Sequence, residues 1–115
     1  MPLFEKARIE VFLPDLPRQA YQDLLDTLEQ EFTYTFGGCS VVRGLDGYFL
    51  SHLGQIIWDR VNLLFTDVDL PFDEDSERLT RYTDTLRVAA ADALNEEAVL
   101  VVVYKVYHSG PPADS

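Results

Sequence analysis

Apolar positions recur along the chain with two periods, of two and of about 3.6 residues, and the points where one period yields to the other mark the elements. From Ala7 to Leu13, the side chains of Ile9, Val11 and Leu13 alternate with Arg8 and Glu10, which predicts a strand with one buried face. The following Pro14-Asp15-Leu16-Pro17 stops that strand, and Asp15 is expected to cap a helix with Pro17 near its first turn. From Arg18 to Phe32, Tyr21, Leu24, Leu25, Leu28 and Phe32 keep helical spacing while Asp23, Asp26 and Glu29 face away, as in an amphipathic helix laid on a sheet. Gly37-Gly38 supplies the backbone freedom to turn from helix into strand.

Cys39 to Arg43 and Gly47 to Ser51 read as extended, separated by Gly44-Leu45-Asp46-Gly47. That interruption is a bulge in one long strand or a turn between two short ones; the bulge is preferred because His52-Leu53-Gly54-Gln55 carries the stronger hairpin signal. The next strand, Ile56 to Thr66, sets Ile57, Val61, Leu63 and Phe65 against Trp58, Arg60, Asn62 and Leu64 on opposite faces. Residues 67–77 form an acidic loop that enters a second helix, Ser76 to Asn95, with Leu79, Tyr82, Leu86, Ala89, Ala90, Ala93 and Leu94 as its expected buried stripe. Ala98 to His108 reads as a last strand, apolar on both faces for most of its length, and residues 109–115 as a disordered tail.

The order strand, helix, strand, strand, helix, strand resembles the ferredoxin-like plait, an α+β fold in which a four-stranded antiparallel sheet carries both helices on one face. The resemblance covers residues 7–108 and makes residues 1–108 a single domain. It implies nothing about activity, because this architecture hosts many functions. It does place residues at poles. Gly37, Gly38, Cys39, the loop from Asp67 to Asp75, Tyr107 and His108 gather at one end of the sheet; Asp15, the His52 to Gln55 turn and Asn95 gather at the other. The sheet's helix-free face and the last strand's edge need cover. The expected outcome is a homodimer through Val99, Val101 and Val103, with a fold-back of Met1 to Lys6 over that face as the alternative.

Composition narrows the function classes. A net charge of -11, from 20 acids against 9 bases, repels phosphate backbones, and no run of Lys or Arg offsets it, so a nucleic-acid partner is not expected. One cysteine forms no internal bridge, the N-terminus lacks a signal-peptide core, and the longest apolar run, Ala98 to Tyr104, is too short to span a bilayer. A cytoplasmic protein without membrane attachment is expected.

The chemistry-bearing residues support two classes of reading. The favoured one is a non-catalytic homo-oligomeric domain that binds a protein partner or small ligand through the open sheet face and one rim. Its ligand contacts would be Gly37, Gly38, Arg43, Tyr48, Trp58, Arg60, Tyr107 and His108, with the two arginines as anion contacts against Tyr48 and Trp58. The purely structural alternative pairs Arg43 with Asp59 across the hairpin. The second reading is a small metal-dependent hydrolase or nuclease, with His108, Asp67, Asp69 and Cys39 as its candidate working groups. Asp67, Asp69, Asp73 and Asp75 would be the oxygen ligands for Mg²⁺ or Ca²⁺, although Asp73 and Asp75 are also residues that a helix start prefers, and no cofactor is otherwise expected.

Overall fold

The computed structural model describes residues 3–95 and 99–110. Its elements are β1 (Leu3–Pro14), α1 (Gln19–Phe36), β2 (Ser40–Leu50), β3 (Ile56–Val68), α2 (Ser76–Leu94) and β4 (Leu100–Ser109). All neighbouring strands are antiparallel and the sheet order is β2-β3-β1-β4, so the chain is a ferredoxin-like plait.

The alternation read from β1 decides where the core lies. Ala7, Ile9, Val11 and Leu13 are buried on the helix side, where they meet Tyr21, Leu24, Leu25, Leu28 and Phe32 of α1 and Leu79, Leu86, Ala90 and Leu94 of α2. Each fully buried aliphatic side chain there contributes roughly 2 kcal/mol of transfer free energy. Thr83 completes the buried stripe of α2 in place of Ala89 and Ala93, which lie exposed. Its hydroxyl donates to the Leu79 carbonyl at 2.8 Å, so a polar side chain enters the core without an unmet donor.

Several ends differ from expectation for identifiable reasons. The first helix continues four residues past Phe32 to Phe36, where Gly37, at φ +91°, closes it with its N–H on the Thr33 carbonyl at 2.9 Å. Asp15 caps nothing. Asn62 donates to its carboxylate at 3.3 Å and Arg60 lies 3.9 Å from it, leaving Arg18 at the helix start without a side-chain cap. Leu3 to Lys6 do not fold over the open face; they extend β1 and pair with β4 from Val106 to Ser109. The last strand therefore runs one residue into the segment expected to be disordered, and residues 111–115 lie outside the described ones.

The β2 bulge falls between Val42 and Leu45, with Gly44 at φ +69°. Gly44 donates its N–H to Asn62 Oδ1 at 3.0 Å, and the Arg60 guanidinium lies over its Cα where a side chain would stand. Past this joint β1 no longer accompanies the hairpin, because its pairing with β3 ends at Pro14 opposite Val61. Leu45–Leu50 and Ile56–Arg60 therefore continue as a two-stranded arm, closed by the Ser51–Gln55 turn. The arm lengthens the molecule to 51 × 29 × 26 Å, with a radius of gyration of 15.9 Å where a compact chain of this length has about 13 Å.

Candidate functional site

Three places collect the residues with chemical potential: the rim at the start of β2, the lower half of the open sheet face, and the arm. At the rim, Gly37, Gly38, Cys39 and Ser40 border a cavity of about 270 Å³ whose far wall includes Phe65, Thr66 and Asp67. The Thr66 hydroxyl donates to the Gly38 carbonyl at 2.7 Å and fixes the corner to β3. Cys39 is half-buried, with its sulfur 3.7 Å from both the Glu29 carbonyl and the Thr33 hydroxyl. It sits beside the C-terminal end of α1.

On the open face the strand register brings Arg8, Asp67 and His108 together. Arg8 grips the Asp67 carboxylate with Nε at 2.7 Å and a terminal nitrogen at 3.0 Å, and His108 Nε2 lies 2.7 Å from the same carboxylate. Arg8 also stacks over Phe65, 4.6 Å from the ring centre. These bonds to Arg8, and next to His108, hold the Asp67 carboxyl below the usual carboxylate range, while Asp67 raises the Arg8 guanidinium. Next to them the Tyr104 hydroxyl donates to Glu10 at 2.7 Å, which raises the phenol's pKa. In sequence Arg8 and Glu10 are the positions that alternate with the buried face of β1. Their roles follow only from register, since β3 and β4 flank them on both sides.

The four loop aspartates do not converge. Asp67 belongs to Arg8, Asp69 to Lys6, Asp73 to Lys105 and Asp75 to Arg78. Among the described residues no three His, Cys, Asp or Glu side chains are grouped so as to hold a metal ion. The expected ligand contacts also scatter. Arg43 reaches Glu29 at 3.4 Å instead of Asp59, whose carboxylate accepts the Arg60 backbone N–H at 2.8 Å. Arg60 turns to Asp15, so the two arginines do not frame one anion. Tyr107 is exposed and, by the alternation of β4, lies on the face opposite to His108.

Tyr48 and Trp58 do face each other, as a cross-strand pair on the arm. The Trp58 indole N–H donates to Asp46 at 3.1 Å. Around them Tyr48, Leu50, Leu53, Ile56 and Trp58 are between 56% and 76% exposed, and Phe49 and Ile57 are half exposed. On the sheet side of the arm's base, a hollow of about 510 Å³ is lined by Phe12, Leu45, Phe49, Val61 and Leu100 among others.

The expected interface residues are placed differently. Val99 is buried, and Val101 and Val103 pack against the core beneath α2. Alternation puts Leu100, Val102, Tyr104 and Val106 on the open face instead, because Val101 and Val103 sit opposite the buried Val11 and Ile9.

Among the described residues no helix is long and apolar enough to cross a membrane. No protein-family model matches the chain, and no curated protein matches it. Some solved structures are similar to it over most of its length. The crystal structure of CutA1 from Oryza sativa is similar with a TM-score of 0.48 and 15% identity, covering 96% of this chain and 86% of that one. CPII from Thiomonas intermedia K12, a nitrogen regulatory PII-like protein bound to ADP, AMP and bicarbonate, is similar with a TM-score of 0.49 and 16% identity, covering 95% of this chain and all of that one.

Proposed function

We propose that this chain is a non-catalytic interaction domain that works as a homo-oligomer, joined through the open sheet face and the β2–β3 arm. The observation that carries this reading is the arm itself. A two-stranded ribbon is marginal in water on its own, yet this one extends beyond the core with seven large apolar side chains at least half exposed. Those side chains offer on the order of 900 Å² of surface, about what one partner contributes to a stable interface.

A second copy is the occupant that the charge distribution favours. The chain carries -11 overall, but between Gly47 and Trp58 it has no Asp, Glu, Lys or Arg. Copies that meet there avoid the repulsion that the acidic first helix and the acidic loop would impose elsewhere. The hollow at the base of the arm, mostly apolar with Asp46 and Asp59 on its border and lined by the exposed Leu100, gives a neighbour's arm a concave seat. On this reading the Arg8–Asp67–His108 and Tyr104–Glu10 contacts are satisfied polar groups within the interface that set its register, not working groups of a hydrolase.

Sedimentation equilibrium tests this. The expected mass at micromolar concentration is a small whole multiple of 13.1 kDa. Ile57→Asp on the arm and Val102→Lys on the open face are each expected to shift it toward one chain without loss of the circular-dichroism spectrum. A wild-type protein that stays at one chain mass up to about 100 μM overturns the proposal.

A further inference from the structure

On the side of the molecule remote from the open sheet face, a cavity of about 360 Å³ opens where the end of α1 meets the loop before α2. Its walls are apolar: Ile9 from β1, Leu79 from α2, Phe36 from the last turn of α1, and Leu70 from the loop. Its mouth carries two guanidinium groups, Arg78 and Arg81, one turn apart on α2. The remaining wall hydroxyls, of Thr35 and Tyr82, both donate to Glu31 Oε1, at 3.3 and 3.0 Å. Tyr82 also stands edge-on to Phe36 with ring centres 5.3 Å apart, which fixes that wall.

The charge pattern around this cavity departs from the rest of the molecule. Acids outnumber bases 20 to 9, and among the described residues seven of the cations reach a carboxylate. Arg18 and Arg81 are the two that do not. Arg18 lies on open surface at the start of α1, whereas Arg81 borders the cavity. Its neighbour Arg78 has one ion pair, to Asp75 at 3.6 Å. An apolar chamber of this size, with one uncommitted cation at its entrance and a second close by, is complementary to an apolar body bearing a single negative head.

We propose that this cavity binds a small amphiphilic carboxylate, a compound of roughly ten heavy atoms whose apolar tail lies on Ile9, Phe36, Leu70 and Leu79 and whose head pairs with Arg81, with Arg78 as the second contact. The occupant is set by the walls: two guanidiniums select an anionic head, and the lack of any uncommitted hydroxyl on the walls selects a tail without polar groups. The site is independent of self-association, because none of its lining residues belongs to the arm or the open face.

An amide-resolved NMR titration of the full chain with octanoate tests it, with octan-1-ol and acetate as comparison probes. Octanoate is expected to move the amides of Phe36, Leu70 and Leu79 in a saturable way. Octan-1-ol, without the charge, and acetate, without the tail, are each expected to bind at least about tenfold more weakly. Arg81→Gln weakens octanoate binding by about tenfold and Arg78→Gln by less, with the spectrum otherwise unchanged. The proposal is overturned if no saturable shift occurs by 10 mM octanoate, if octan-1-ol binds as well as octanoate, or if Arg81→Gln leaves the affinity unchanged. It is equally overturned if the shifts fall on Phe49 and Leu100 of the open face.

Discussion

The two halves of β3 belong to one extended strand and meet opposite fates. From Val61 to Phe65 the strand is paired on both sides and from Thr66 to Val68 with β1, and its inward positions Asn62, Leu64, Thr66 and Val68 are buried. From Ile56 to Arg60 it is paired on one side only, and Ile56 is 76% and Trp58 56% exposed. A period of two tells which residues share a face, but whether the face is buried depends on what lies over it. Over the inner half lies α1. Over the arm half, no helix among the described residues does.

The sharpest break of this comparison comes from truncating one residue in each half. Leu64→Ala removes a side chain with no exposure and leaves a cavity, so it is expected to destabilise the folded chain by about 3 kcal/mol in denaturant titration. Ile56→Ala, measured on the same protein at sub-micromolar concentration, is expected to cost less than about 0.5 kcal/mol. Equal costs would mean that the arm is packed in the isolated chain, and the contrast between the halves would fall.

Asp67 ends the well-packed half, and its network extends the comparison to charge. Asp67→Asn leaves Arg8 with a weaker partner and is expected to cost about 2 kcal/mol at neutral pH. Because the carboxyl is held below its ordinary value in the folded chain, the stabilisation is present above about pH 4 and is lost as pH falls through the lowered folded value. The gap between wild type and Asp67→Asn should therefore close on acidification. A gap that holds constant from pH 7 to pH 2 contradicts the assigned pairing.

Gly44 marks the joint between the halves. An alanine there meets both the positive φ and the overlying Arg60, so Gly44→Ala is expected to cost about 1 to 2 kcal/mol, and Arg60→Ala in the same chain should recover the part due to crowding. No recovery in the double variant would place the whole cost in the backbone.

The elements were legible because their signals are local. Alternation in Ile9, Val11 and Leu13, helical spacing from Tyr21 to Phe32, and the glycine at the bulge each depend on neighbours a few residues away. What escaped depends on residues far apart in sequence. The two faces of β4 are both apolar, and only the pairing of Val101 with Val11 shows which one meets the helices. Arg8 lies 59 residues from Asp67, so its bidentate grip has no local signature. Topology alone places Asp67 and His108 at one pole, but the alternation in β1 gives Arg8 no partner. Thr83 was passed over because a hydroxyl on a helix looks like surface until its bond to the preceding turn is seen. Arg43 and Asp59 looked like cross-strand partners, but the bulge shifts the register between them.

The central claim is that the arm is buried by a second copy. Amide hydrogen exchange across a dilution series tests it residue by residue. The account predicts that amides from Tyr48 to Trp58 are protected at high concentration and lose protection on dilution, while those of Ile9, Val11 and Leu64 stay protected throughout. Arm amides that exchange rapidly at every concentration, or that stay protected in the fully diluted chain, would contradict it.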